Sequence, residues 1–380
     1  MLFSSSSNGS RASEIQFQTL DITSQLSATV CSPVIHPGLK NRKSSAVLEL
    51  IHRHGPCAVM NQTKPISRPS TTHILRNDKL RVESIFNGGR IPVSSGDSLQ
   101  NTGEYIVTMG LGTPETKLSL LFDTGSELTW TQCKPGLLGY HSQKDPMFDP
   151  HKSTSYSFIP CNSSECSLLA TDTTFGPDCS SANQCTYVFT YGDGSITVGY
   201  FSKDTLTITP NVKVPNFMFG CGQFTQGLFG LEAGILGLGR TNISIVSQTA
   251  NIFQECFSYC IPSNPSSNGF LAFGKDYDNT TKFTPLILKQ EYSPVFYYIH
   301  ITDIAVDGRK LRISPENDVK LDLDASGTGT LWVYNKSLMC LAFASTDDTV
   351  GLLGNTQQKT FEVVYDVAGQ KLGFTSGMCT

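Results

Sequence analysis

The sequence predicts an all-β chain built in two blocks. Three observations carry that reading. Gly 33 and Pro 19 in 380 residues punctuate many short runs rich in β-branched and aromatic residues. Two short apolar runs between glycines, Ala233–Gly239 and Val350–Gly354, echo each other late in each block. An apolar run, Leu120-Leu121-Phe122, ends in Asp123-Thr124-Gly125-Ser126, where a carboxylate meets two hydroxyls and a glycine. A carboxylate at the end of an apolar strand is costly to bury unless hydrogen bonds surround it. Thr124 and Ser126 can donate, and Gly125 lets backbone N–H groups come close.

Composition sets the outer bounds. Hydrophobic residues are 39% and charged residues 16%, which suits a globular chain with room for two domains. No stretch approaches the ~20 apolar residues of a membrane-spanning helix. Met1 to Ser10 is serine-rich, and no secretory signal is visible in it. The twelve cysteines show no C-x2-C pair, so a disulfide framework of an oxidising compartment is expected, with no metal and no cofactor. Sequons at Asn8, Asn61, Asn162, Asn242, Asn279 and Asn335 are compatible with secretion. Residues 1–97 carry 11 Lys+Arg and 6 Asp+Glu, whereas the remainder carries 17 and 26. A basic leader on an acidic body suggests an intramolecular electrostatic clamp and argues against nucleic acid as a partner.

Along the chain, Ser45–His54 is expected as a strand and Ile74–Phe86 as a helix. Pro92–Thr102 reads as a linker open to proteolysis. Tyr105–Met109 and Leu118–Phe122 are the next strands. Residues 133–185 form a cysteine-rich insertion. Cys185–Tyr191 and Tyr200–Ile208 pair across Gly192-Asp193-Gly194-Ser195 as a hairpin. Phe217–Gly220 is a strand, and Ser244–Ala250 opens a short helix. From Phe257, strands are expected at Gly269–Phe273, Tyr297–Val306, Leu331–Tyr334, Leu338–Phe343, Val350–Gly354, Thr360–Asp366 and Lys371–Phe374.

The ordered set Asp123–Ser126, Trp130-Thr131-Gln132-Cys133, Tyr191–Ser195, Gly234–Gly239 and Leu352-Leu353-Gly354-Asn355 resembles the pepsin-like aspartic proteases, in their plant nepenthesin-type branch. The resemblance implies a bilobal β-fold with a cleft between lobes. Residues 1–97 would be a prosegment-like leader and linker, 98–256 a complete N-terminal lobe, and 257–380 a partial C-terminal lobe. Asp123 would be one of two catalytic carboxylates sharing a proton, and Tyr191, Gly125, Ser126 and Trp130 would contact a polypeptide substrate. Trp130 would hydrogen-bond Tyr191 on the flap. A leader lying in the cleft would release at low pH as carboxylates protonate and His36, His52, His54 and His73 gain charge, with autoprocessing at residues 90–104. The resemblance also implies a secreted, apoplastic or vacuolar monomer. Its disulfides would be Cys161–Cys185, Cys166–Cys179 and Cys260–Cys379. Gly136 and Gly139 stand where two further cysteines would be, so Cys133 and Cys221 are expected to pair with each other.

The second lobe departs from that pattern. After Phe296–Ile313 the family would place a second Asp-Ser/Thr-Gly loop, and here Ser314-Pro315-Glu316-Asn317 leads directly into a late strand. A block of roughly 70–90 residues is missing by resemblance to the family. Asp324-Ala325-Ser326-Gly327 imitates the loop, but Asp324 precedes Leu353 by 29 residues whereas Asp123 precedes Leu236 by 113, and it is expected as an ordinary turn. Two functions stay open: an aspartic endopeptidase impaired by a lost carboxylate, and a non-catalytic binding or inhibitor protein like the plant inhibitors of glycoside hydrolases. A homodimer uniting two Asp123 loops would be obstructed by the second block.

Overall fold

The computed structural model describes residues 31, 46–53, 55–58, 105–136, 139–171, 176–192, 194–227, 229–262, 267–288, 293–301, 305–306, 309–310, 318–321, 331–335, 338–341 and 350–376. The expected helix at Ile74–Phe86, the linker, the autoprocessing window, Asp324, and His36, His54 and His73 lie outside these residues. The fold is mostly β. One 15-stranded sheet runs through most of it, with a separate three-stranded sheet and two two-stranded sheets.

In the first block, Tyr105–Leu111 and Thr116–Asp123 form an antiparallel pair. On its other side Thr116–Asp123 lies parallel to Gly234–Gly237, with Asp123 opposite Gly237. Six of the seven residues of Tyr105–Leu111 and five of the eight of Thr116–Asp123 are buried, so both faces of this pair are covered. The expected hairpin is present, longer than its apolar runs: Cys185–Thr190 pairs with Ile196–Thr209, which then pairs with Val212–Gln226. Gly194 takes a positive φ of 80°, a conformation glycine adopts without steric cost.

The second block repeats the arrangement. Tyr297–His300 pairs antiparallel with Asp318–Leu321, which lies parallel to Val350–Leu353. Cys256–Cys260 pairs with Asn268–Phe273 and with Phe361–Asp366. The stretch expected as one strand over Tyr297–Val306 is two, Tyr297–His300 and Ala305–Val306. The leader strand, Ala46–His52, is part of the main sheet. It makes six pairs with Asn268–Phe273 on one side and reaches Tyr105 and Ile106 on the other. The two blocks therefore share a sheet through a strand of the leader.

One core cluster spans both blocks, from Leu50 and Phe122 to Tyr259, Tyr297 and Tyr365. Phe257 stacks on Tyr365 at 4.5 Å, and Phe122 meets Tyr259 edge-on at 5.1 Å. Aromatic pairs of this geometry add to what their area burial supplies.

The disulfides correct two expectations and bear out a third. Cys133 bonds Cys221. The insertion is closed by Cys161–Cys179 and Cys166–Cys185, not by Cys161–Cys185 and Cys166–Cys179. Burial explains the choice. Cys166 and Cys185 both lie in the core, while Cys179 is exposed and Cys161 is half-buried, so each cysteine meets a partner at its own depth. Cys31–Cys57 staples the leader. Cys260 is disulfide-bonded. Its expected partner, Cys379, lies outside the described residues. Cys256 is buried.

Candidate active site

Asp123 sits at the end of its strand with 2% of its surface exposed. Its Oδ1 accepts the Gly125 N–H at 2.7 Å, the close backbone approach that a glycine at this position allows. Thr124 and Ser126 are buried beside it, and the Ser126 hydroxyl has no hydrogen-bond partner. The donor seen on that carboxylate oxygen is thus the loop amide and not the Ser126 hydroxyl.

The glycine-flanked run holds this loop from below. Leu238 N–H donates to Asp123 O and Gly239 N–H to Ser126 O, both at 2.8 Å. Gly237 must lack a side chain, because a Cβ there would overlap the Glu127 carbonyl. Sequence reasoning missed the next residue. Glu127 is fully buried, and its carboxylate accepts Arg240 N–H at 2.9 Å, Thr241 N–H at 2.9 Å and the Thr241 hydroxyl at 3.0 Å. An acid inside the apolar stretch Ser126-Glu127-Leu128-Thr129-Trp130 was the available signal, since a buried acid needs donors. Tyr297 OH donates to Leu238 O at 2.7 Å and to Gly239 O at 3.1 Å, fastening the second block to the same run.

Trp130 and Tyr191 come together. Trp130 Nε1–H donates to Tyr191 OH at 2.6 Å, across 61 residues of sequence. Their contact belongs to a second core cluster that includes Ala58 of the leader, Leu128 and Ile235. Phe229, which the sequence did not single out, packs edge-on against both rings, at 5.2 Å from Trp130 and 6.0 Å from Tyr191. Trp130→Phe removes the indole N–H, so that the buried tyrosine hydroxyl loses this donor, and it also leaves a small cavity where the larger ring packed. A loss of about 1–3 kcal/mol is expected. Urea unfolding reads it, and an unchanged midpoint would contradict a role for this bond in holding the Tyr191 hairpin.

Among the described residues, no group of three or more His, Cys, Asp or Glu is placed to hold a metal ion. No helix among them is long and apolar enough to cross a membrane.

An aspartyl protease family protein of Arabidopsis thaliana is 35% identical, with 98% of this chain and 95% of that protein covered. The chain belongs to the pepsin-like aspartyl protease family of plants. Within that family, residues 105–275 match the model described as Xylanase inhibitor N-terminal, and residues 316–376 match Xylanase inhibitor C-terminal. Aspartic proteinase nepenthesin-2 of Nepenthes gracilis is 38% identical over 65% of this chain and 55% of its own. Among solved structures, conglutin gamma, a basic 7S globulin from lupine seeds, superposes with a TM-score of 0.59 at 16% identity, over 88% of this chain and 95% of that one. That likeness concerns the fold. The Arabidopsis alignment runs over 457 positions, more than the 380 residues present here, so the relative has positions without a counterpart in this chain.

Proposed function

We propose that this chain is a non-catalytic member of the family that binds a polypeptide in the cleft over Asp123. Gly125, Ser126, Trp130 and the flap residue Tyr191 would be its contacts. One observation carries the reading. In the first block the strand parallel to the glycine-flanked run delivers Asp123-Thr124-Gly125, whereas in the second the equivalent parallel strand is Asp318–Leu321. The sequence holds no other Asp-Ser/Thr-Gly triplet. Peptide hydrolysis by this chemistry needs one carboxylate as base and another as acid, held so close that only one ionises. A lone carboxylate supplies half of that.

The xylanase-inhibitor descriptions of the matching models support a glycoside hydrolase as the polypeptide partner. The nepenthesin-type branch, the 98–256 and 257–380 lobes, and a missing block in the second lobe belong to the same reading. So does secretion, which the disulfides suit. Asn162, Asn242 and Asn279 are exposed, as carriers of glycans must be.

Two assays of the full chain test it. At pH ~3–5, where shared-proton carboxylate pairs work, a denatured protein substrate is expected to stay uncut, and Asp123→Ala is expected to change nothing. Titrated into a xylanase, the full chain is expected to lower its activity. Pepstatin-sensitive cleavage abolished by Asp123→Ala would overturn the non-catalytic reading and restore an endopeptidase. A xylanase unaffected by an excess of the chain would overturn the choice of partner.

A further inference from the structure

The six Asn-x-Ser/Thr sequons differ in what precedes them. Only Asn279 has an aromatic residue two positions before it, in Tyr277-Asp278-Asn279-Thr280-Thr281. This stretch connects the strands Asn268–Phe273 and Lys282–Pro285. Asp278, Asn279 and Thr280 are exposed, while Tyr277 and Thr281 are half-buried. Thr281 N–H donates to Asp278 O at 3.0 Å, which closes a turn with Asn279 at its second position. The turn is fixed by its own side chains. Asp278 Oδ1 accepts the Thr280 N–H at 2.7 Å and the Thr280 hydroxyl at 2.6 Å, and the Thr281 hydroxyl donates to Asp278 O at 2.6 Å. The Asn279 amide takes no part in this network and faces solvent.

The aromatic ring before the turn is held in place from the other side of it. Phe283 meets Tyr277 edge-on, with ring centres 5.1 Å apart. Phe283 is itself pinned. It lies opposite Gly373, where a Cβ would overlap its ring, and Lys371 Nζ is 4.3 Å from its ring centre. Tyr277 is thus a half-exposed ring on a fixed support beside a free asparagine amide. The face of an aromatic ring is electronegative. An N-acetylglucosamine offers it a face of C–H bonds, and a ring already held in position loses little freedom in taking that sugar. The strand after the turn adds a second reason. Lys282–Pro285 ends the main sheet, and among the described residues its one strand neighbour is Lys371–Ser376. An open edge is a template for pairing with other chains, and a bulky sugar at its start obstructs that approach.

We infer that Asn279 carries an N-linked glycan whose first N-acetylglucosamine packs on Tyr277. The Asn279 Nδ2 bonds to the anomeric carbon of an oligosaccharide as that carbon's bond to a lipid pyrophosphate breaks, and the amide loses one proton. The inference rests on the secretion proposed above, since this transfer belongs to the secretory pathway, and is independent of what the cleft binds.

Full-length protein tests it, expressed in plant cells with its own N-terminus and, separately, behind a cleavable signal peptide. Peptide mapping after an amidase that converts each glycan-bearing Asn to Asp is expected to find Asn279 occupied in both. Thermal unfolding of the parent, Asn279→Gln, Tyr277→Ala and the double variant then reads the packing. Loss of the glycan is expected to lower the midpoint by about 2 °C with Tyr277 present and by less than about 0.5 °C in the Tyr277→Ala background. If Tyr277→Ala is not secreted, Tyr277→Leu, which retains more bulk, takes its place. Asn279 bare behind the signal peptide overturns the site. An equal drop in both backgrounds, or none, overturns the packing on Tyr277. A failure of the secretion reading shows differently: Asn279 is occupied only behind the signal peptide, which supports the site and overturns secretion by the chain's own N-terminus.

Discussion

Glu127→Ala is expected to cost about 2–5 kcal/mol of stability, because it strips the acceptor from two backbone N–H groups at once. Those groups, on Arg240 and Thr241, lie more than 110 residues away in sequence and are 2.9 Å from the carboxylate in space. Glu127 therefore ties the catalytic-type loop to the end of the glycine-flanked run. Gly239 leaves space for it, since a Cβ there would overlap the carboxylate. Glu127→Gln retains one acceptor oxygen and turns a donor toward the other amide, so roughly half the loss is expected. Equilibrium urea unfolding measures both. A loss below about 0.5 kcal/mol for Glu127→Ala, the range of an ordinary surface change, would show that the loop is held by other means.

Removing the Cys133–Cys221 bridge is expected to be costlier. The two cysteines are 88 residues apart, and both are buried in the main core. Cross-linking a loop of that size constrains the unfolded chain by about 4–5 kcal/mol in the chain-entropy account. The Cys133→Ser/Cys221→Ser variant also buries two hydroxyls among apolar neighbours such as Phe148 and Phe219. Alanine at both positions separates the terms, because it removes the cross-link without adding a hydroxyl. A double-alanine variant with the parent's urea midpoint would show that the bridge adds nothing. The matching bridge across residues 166–185 closes a loop of only 19 residues, and its loss is expected to cost less.

Much of the fold was legible in local pattern. Short runs of apolar, β-branched and aromatic residues located the strands at Tyr105–Met109 and Leu118–Phe122, and a polar Gly-Asp-Gly-Ser turn located the hairpin carrying Tyr191. The strands of the second block were placed by the same signal, except that Tyr297–Val306 is broken between His300 and Ala305. The candidate site was half legible. Asp123, Gly125 and Ser126 are neighbours in sequence, so their type and spacing state their chemistry. Trp130 and Tyr191 were paired through a resemblance to a family. Phe229 was not singled out, because an aromatic in a glycine-rich stretch has no spacing that marks what it will touch.

The cysteines show where local pattern stops. Their number forecast a disulfide framework, but Cys161, Cys166, Cys179 and Cys185 are close enough in sequence for several connectivities. Depth of burial chose among them, and depth is a property of the folded insertion.

The amino-acid sequence by itself determined the strand pattern, the single Asp-Thr-Gly half-site and the absence of a second such triplet, because each is written in residues adjacent along the chain. The tertiary structure alone decided three further things. It set which cysteines bond, set the Glu127 carboxylate beneath Arg240 and Thr241, and brought Arg53 of the leader onto Glu232. These are contacts between side chains far apart in sequence, made only where strand register and burial bring their elements together.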